Sequence, residues 1–260
     1  QVMNIGCWLE RRAVQTPKLP ALFQGTQCVY EYFAFDAAAR GIAGWLRDQD
    51  IGAGDRVAIF MENIPAYLLA QYGAWFAGAV IVPINAKLHG REAAWIIENS
   101  GASIVFANGE KARALLDVGV EAPVFDVEND GLSEIMNHAP VPECATRKPG
   151  DLAWLFYTSG TTGQPKGVMI THRMLISMTL SYFADVDQVR AEDATLYAAP
   201  LSHGAGIYNM MHVLKGARHV FPDSRGFDPA EIFELASHFE SLHIFAAPTM
   251  VKRMSAVAKA

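Results

Sequence analysis

Leu155-Phe156-Tyr157-Thr158-Ser159-Gly160-Thr161-Thr162-Gly163-Gln164-Pro165-Lys166-Gly167-Val168-Met169-Ile170 joins two apolar, strand-like runs through a loop of glycines and small hydroxylated residues. The chemistry of the loop follows from its residue types. Glycines allow successive backbone N–H groups to converge on an anion, the hydroxyls of Thr158, Ser159, Thr161 and Thr162 can donate to phosphate oxygens, and Lys166 adds positive charge. Together they make a polyphosphate cradle. A Walker A loop, G-x-x-x-x-G-K-[ST] opening a helix, is the nearest alternative, and the sequence departs from it. Pro165 stands where the second glycine belongs and Gly167 replaces the metal-binding hydroxyl. Val168 to Ile170 continues as strand, so the next helix starts only near Thr171 or His172.

On either side of this segment, apolar runs alternate with amphipathic ones, the pattern of a mostly parallel sheet covered by helices in an α/β fold. An opening helix is expected around Gly6 to Val14. Ala38, Ile42, Trp45 and Leu46 share one helical face, and Gly52 and Gly54 turn the chain into a strand over Arg56 to Phe60. Pro65 opens a helix that Gly78 ends before the strand Ala79 to Val82. A helix over Arg91 to Asn99 leads to the strand Ser103 to Ala107. Asp228, Pro229 and Glu231 have the order of an N-cap, a first-turn proline and the glutamate of a capping box. His243 to Ala246 reads as a strand and Thr249 to Ala260 as a helix without a closing cap. The proline-bearing stretch 137–150 is a connecting segment.

The composition is that of a water-soluble globular chain: of 260 residues, 51% are hydrophobic and 18% charged, which excludes a disordered or fibrous protein. The net charge is −6, with no Lys/Arg cluster to follow a nucleic-acid backbone, so no nucleic-acid partner is expected. Three widely spaced cysteines without a CxxC pair suit a reducing cytoplasm. Charges within Gln1 to Arg12 occupy the place of a signal peptide's apolar core, so no export signal is expected. Ala66 to Ile84 is nearly all apolar, but Gln71, Gly73, Gly78 and Pro83 interrupt it. A helix followed by a buried strand explains it better than a membrane span.

Tyr157 to Gly167 resembles, without a gap, the signature loop of the adenylate-forming superfamily of acyl-CoA and aryl-CoA synthetases, luciferases and peptide-synthetase adenylation domains. The resemblance extends to Gly73–Asn85, which is similar to a second core motif whose role is packing. It also takes in Ala199-Pro200-Leu201-Ser202-His203-Gly204-Ala205-Gly206, where a histidine or aromatic residue lies between the acyl pocket and the cradle. Leu201 fits that pattern, while Ser202 replaces a common Phe or Tyr. The glycines after His203 either let substrate approach the backbone or loosen a helix start. His172 matches a histidine common after the loop and is assigned to capping the following helix.

The resemblance implies layered α/β/α lobes, with residues 1–260 forming the amino-terminal part of the large AMP-binding domain. It also implies that a carboxylate attacks Mg-ATP to give acyl-AMP and that a thiol, commonly coenzyme A, then displaces AMP. Thr158, Ser159, Gly160, Thr161, Thr162 and Gly163 would hold the β and γ phosphates. Lys166 would add a mobile charge, His203 would shape the acid's pocket, and Mg would bridge phosphate oxygens. The family's metal-serving glutamate, ribose-binding aspartate, hinge and adenylation lysine have no counterpart in these residues. The expectation is therefore a truncated domain from an acid–thiol ligase, itself weak in nucleotide binding and nearly inactive, with its metal ligands unassigned. An adenylating module that loads a carrier protein shares the same cradle. A non-catalytic nucleotide-binding protein would keep the half-domain alone.

Overall fold

The computed structural model describes residues 3–158 and 165–258. The chain runs through α1 (Cys7–Gln15), β1 (Pro20–Gln24), β2 (Gln27–Glu31), α2 (Tyr32–Asp48), β3 (Arg56–Phe60), α3 (Pro65–Ala77), β4 (Val80–Pro83), α4 (Gly90–Ser100), β5 (Ile104–Ala107), α5 (Gly109–Asp117) and β6 (Val124–Asp126). It continues through α6 (Leu132–Met136), β7 (Leu152–Thr158), β8 (Lys166–Thr171), α7 (His172–Asp185), β9 (Ala194–Leu196), α8 (Gly204–Ile207), α9 (Asn209–Lys215), β10 (Arg218–Phe221), α10 (Pro229–His238), β11 (Leu242–Ile244) and α11 (Pro248–Ala258). The expected alternation is present, and the expected strand Arg56 to Phe60 coincides with β3.

Two sheets result. One has the order β6-β5-β3-β4-β7-β8, parallel except for the β7–β8 pair. The other has the order β11-β9-β10-β1-β2, parallel except for the β1–β2 pair. Successive side chains of a strand point to opposite faces, so each inner strand of the first sheet feeds two cores. Val57, Ile59, Ile81 and Phe106 face α2 and α3, whereas Ala58, Phe60, Val82 and Val105 face α4 and α5. Leu22 of β1 and Phe221 of β10 reach the α2–α3 side from the second sheet, while α10 covers that sheet's other face through Ile232 and Leu235. Helices α2 and α3 therefore form a layer between the sheets.

That placement explains the apolar run Ala66 to Ile84. Every residue of α3 from Ala66 to Ala77 is buried, and β4 is buried on both faces, so the segment has no water-facing side. Gly78 ends the helix at φ +88°, a conformation open to glycine at little cost. No helix among the described residues is long and apolar enough to cross a membrane. Residues 137–150 contain no helix or strand and lie along α2 and α3: the Val141 N–H donates to the Arg40 carbonyl and the Ala145 N–H to that of Phe76. Gly44 permits this approach, because a methyl group there would collide with the Ala139 carbonyl.

Two local expectations need correction. The cap of α7 is Thr171, whose hydroxyl accepts from the Met174 N–H at 3.3 Å. His172 is fully buried and its Nδ1 accepts from the Ile5 N–H, 3.1 Å away, so it ties down the amino-terminal segment. Burial lowers its pKa to about 4, which keeps Nδ1 free to accept. At α10, Asp228 caps as expected, but Glu231 turns away from the box and accepts from the Ser224 N–H at 3.2 Å.

Arg225 joins the sheets at the surface: its Nη1 lies 3.0 Å from Glu62 and 2.8 Å from Glu128. Burial pushes the Glu62 carboxyl up, but hydrogen bonds from Asn108 and Arg225 outweigh it and hold the group below its usual value. All three side chains are a third or more exposed, so solvent screens the network. Arg225→Ala is expected to cost only about 0.5 kcal/mol in urea unfolding. A loss several times larger would show that the strut carries the lobe contact.

Candidate active site

The site lies where strand ends meet. Five strands of the first sheet are parallel, so Phe60, Pro83, Ala107, Asp126 and Thr158 finish at one edge, the edge at which open α/β sheets place their ligands. The parallel strands of the second sheet end on the same side, because Asn63 after β3 bonds to the chain leaving β9 and Arg225 after β10 reaches Glu62.

β7 and β8 form a hairpin in register from Trp154↔Ile170 to Thr158↔Lys166. Thr158 and Lys166 are therefore directly paired across the strands, both exposed, at the base of the expected cradle. Ser159, Gly160, Thr161, Thr162 and Gly163 lie outside the described residues. The hairpin is anchored from both sides of β7. Leu155 and Tyr157 pack with the α4–α5 core, the Tyr157 hydroxyl donating to Asn99 at 2.7 Å, while Trp154 and Phe156 belong to the central core.

Phe156 links the hairpin to the Ala199–Gly206 motif. Its ring meets that of His203 edge-on, 5.8 Å between centroids, and His203 Nδ1 lies 3.0 Å from the Ser202 hydroxyl. β7 thus carries Thr158 at the base of the expected cradle and, two residues earlier on the strand, Phe156 against His203. The imidazole is exposed at one edge and sheltered by Phe156 at the other. That partial burial keeps its pKa below the usual histidine value, so it is neutral at pH 7.

Three residues hold the His203 segment in place, and two of them, Asn63 and Asn209, carry no signal in the sequence. Asn63, in the β3–α3 turn, donates through Nδ2 to the carbonyls of Tyr197 and Ala199, both at 2.8 Å, and accepts from the Leu201 N–H at 3.2 Å. Asn209 donates to the Gly206 carbonyl at 2.6 Å and accepts from the Tyr72 hydroxyl at 2.8 Å, which fastens α8 to α3. Gly206 leaves no room for a side chain, since a β-carbon would run into the Leu201 carbonyl and stand 3.2 Å from Trp154. Packing, which neither expectation for the glycines after His203 named, accounts for Gly206. An Asn-Ile-Pro tripeptide between a strand and a helix gives no warning that its asparagine will cross to a chain more than 130 residues away.

Beyond Gly204 a cavity of about 550 Å³ opens between α7, α9 and β11, lined by Tyr182, Tyr208, His212, Leu242, His243 and Phe245. Phe245, one of its walls, packs on Gly204, where a β-carbon would fall 2.5 Å from Cζ. Among the described residues, no group of three or more His, Cys, Asp or Glu side chains could hold a metal ion.

A family profile described as AMP-binding enzyme matches residues 9–260. The long-chain-fatty-acid–CoA ligase FadD13 of Mycobacterium tuberculosis is 35% identical over 211 residues, 78% of this chain and 42% of FadD13. A feruloyl-CoA synthase of Amycolatopsis is 31% identical over 257 residues, 97% of this chain and 50% of the synthase. Among solved structures, the N-terminal domain of FACL13 from Mycobacterium tuberculosis, bound to an inhibitor, superposes with a TM-score of 0.86 at 30% identity, covering 97% of this chain and 65% of that one. The chain spans about half the length of the curated relatives it matches.

Proposed function

This chain belongs to the AMP-binding enzyme family, and on that premise we propose that the protein containing it activates a carboxylic acid as an acyl-adenylate and passes the acyl group to coenzyme A. Residues 1–260 are read as the amino-terminal part of the large AMP-binding domain. The observation that carries this reading is the geometry of β7, which sets the Thr158–Lys166 hairpin base two residues from Phe156, whose ring meets His203 edge-on. That arrangement supports a site that holds a polyphosphate and a carboxylic acid end to end.

In the first step a carboxylate oxygen attacks the α-phosphorus of ATP, and the bond to the bridging oxygen of pyrophosphate breaks. The reactants are both anions, so the protein must hold them in line while cations and N–H dipoles offset their repulsion. Thr158 and the loop Ser159 to Gly163 hold the β and γ phosphates, and Lys166 neutralises part of their charge. Neutral His203 borders the acid without adding a charge that would trap the ground-state carboxylate. Magnesium would enter with ATP and supply further positive charge at the phosphates. In the second step the coenzyme A thiol attacks the acyl carbon and AMP leaves. The cysteines are free, in keeping with a cytoplasmic enzyme.

Acid-dependent exchange of labelled pyrophosphate into ATP tests the reading, and a folded protein that exchanges with no acid would refute it. Lys166→Ala is expected to lower kcat/KM for ATP about 10-fold, the loss of one exposed charge–phosphate contact, with thermal stability unchanged. Unaltered exchange in that variant would remove Lys166 from the site.

A further inference from the structure

The connecting segment 137–150 crosses the start of α1, and that crossing places two thiols together. Arg40 of α2 gathers the strands of the contact: it donates to Glu10 on α1 at 2.7 Å and to the carbonyls of Val141 and Pro142. Glu10 accepts in turn from the Cys144 N–H at 3.1 Å. Ahead of α1, Asn4 donates to the Ala145 carbonyl at 2.8 Å and the Met3 N–H to the Arg147 carbonyl at 2.8 Å.

Cys7 lies between Asn4 and Glu10, one helical turn from Glu10 on the same face of α1. It packs against the core to which Cys144 belongs, and the two sulfurs are within hydrogen-bonding reach of each other. Their exposure differs: Cys7 is half-buried, whereas Cys144 is 4% exposed. Cys28, the third thiol, is exposed on β2 and shares none of these contacts.

The pair is chemically unequal. Cys7 opens α1, and the positive end of a helix favours a thiolate. The hydrogen bond from the Cys144 thiol holds the Cys7 thiol below its ordinary value, against burial and the Glu10 carboxylate. Burial pushes the Cys144 thiol well up, and its bond to Cys7 adds to this, so it keeps its proton until it reacts. Cys7 is therefore the nucleophile within reach of solvent, and Cys144 is a sheltered partner behind it.

We propose that Cys7 and Cys144 are a redox modification site, closing to a reversible disulfide when the protein meets a peroxide; this does not depend on the adenylation reading. In the first step the Cys7 sulfur attacks a peroxide oxygen. An S–O bond forms, the O–O bond breaks and hydroxide leaves to become water, giving a sulfenic acid. The Cys144 sulfur then attacks the Cys7 sulfur: the S–S bond forms, the S–O bond breaks, and the departing hydroxide takes the Cys144 proton as water. Two thiols are oxidised for each peroxide reduced, and an external dithiol restores both. The bond ties α1 to the segment that leads into β7.

The test treats the folded protein that contains this chain with hydrogen peroxide, blocks remaining thiols and maps tryptic peptides without reduction. The peptide ending at Arg11 is expected joined to the peptide ending at Arg147, lighter by two hydrogens than their sum, and dithiothreitol is expected to part them. Cys144→Ser removes the resolving sulfur, so Cys7 should then be trapped as a sulfenic acid by dimedone. Cys7→Ser removes the attacking sulfur, so loss of the Cys144 thiol to peroxide should slow by about 10-fold or more. Peptides that stay separate after treatment overturn the proposal, whether or not Cys28 has reacted, and so does a linkage that forms only in urea. Cys144 reacting as fast in Cys7→Ser as in the unmodified protein overturns it too, and if that variant does not fold, the map of the unmodified protein decides.

Discussion

Replacing Trp75 with alanine is expected to lower the free energy of unfolding by about 3–5 kcal/mol, the range for removing a large aromatic side chain from a packed core. Trp75 is fully buried on α3, between the sheets. Its ring meets Tyr72 edge-on at 5.2 Å and tilts against Trp154 at 6.5 Å, and its Nε1–H donates to the Ala153 carbonyl at 2.9 Å. Its own carbonyl accepts from Asn4 at 2.7 Å, and its Cβ lies 3.0 Å from where a β-carbon on Gly6 would be. The substitution therefore opens a cavity and frees a β7 carbonyl, while the contacts of its backbone carbonyl and Cβ with the amino-terminal segment are kept. For a chain of this size the loss corresponds to a melting temperature lower by roughly 10 °C. Urea unfolding by circular dichroism reads the effect, and a loss below about 1 kcal/mol would mean that the sheets are not joined through this helix.

Asn63→Ala should be the most damaging change to function among the residues outside the cradle. It deletes three buried hydrogen bonds and strands the Tyr197 and Ala199 carbonyls and the Leu201 N–H. Stability should fall by about 2–4 kcal/mol, since abandoned buried polar groups carry their full desolvation cost. Activity should fall further than that predicts, because His203 follows Leu201 by two residues and a displacement of about 1 Å at a reacting centre costs about 100-fold. Asn63→Asp should not rescue it: an aspartate still accepts from the Leu201 N–H but turns an oxygen on two carbonyls. The distinguishing measurement is KM for the acid against KM for ATP at a temperature where the variant remains folded. A rise confined to the acid fits a displaced His203, while equal losses in both would point to general unfolding.

Much of this fold is legible along the chain. Gly78, Pro65 and Asp228 mark element ends through local chemistry, and the alternation of strands and helices makes the sheets parallel. What resists reading is whatever depends on distant segments meeting. His172 looks like a cap because it opens a helix, yet Thr171 beside it already satisfies the Met174 N–H and the imidazole is used by Ile5 instead. Glu231 has capping-box spacing, but a nearby backbone N–H at Ser224 competes for its carboxylate. In the candidate site, Thr158, Lys166 and His203 stand out because glycine-rich loops and histidines have chemical character of their own. Asn63 and Asn209 are ordinary until the path of the backbone is known.

The pairing of β1 with β10 has a consequence for how the protein is made. Leu22 lies beside His219 in this parallel ladder, so a strand near the start of the chain waits for one that a ribosome completes about 200 residues later. At ordinary elongation rates that interval is roughly 10–40 s. Until it ends, β1 has only its antiparallel neighbour β2, and its other edge is open to any extended chain nearby. Nascent protein is therefore most exposed to aggregation before β10 emerges, and a synonymous slow-codon cluster placed between β2 and β10 should lower soluble yield without altering the protein that is recovered.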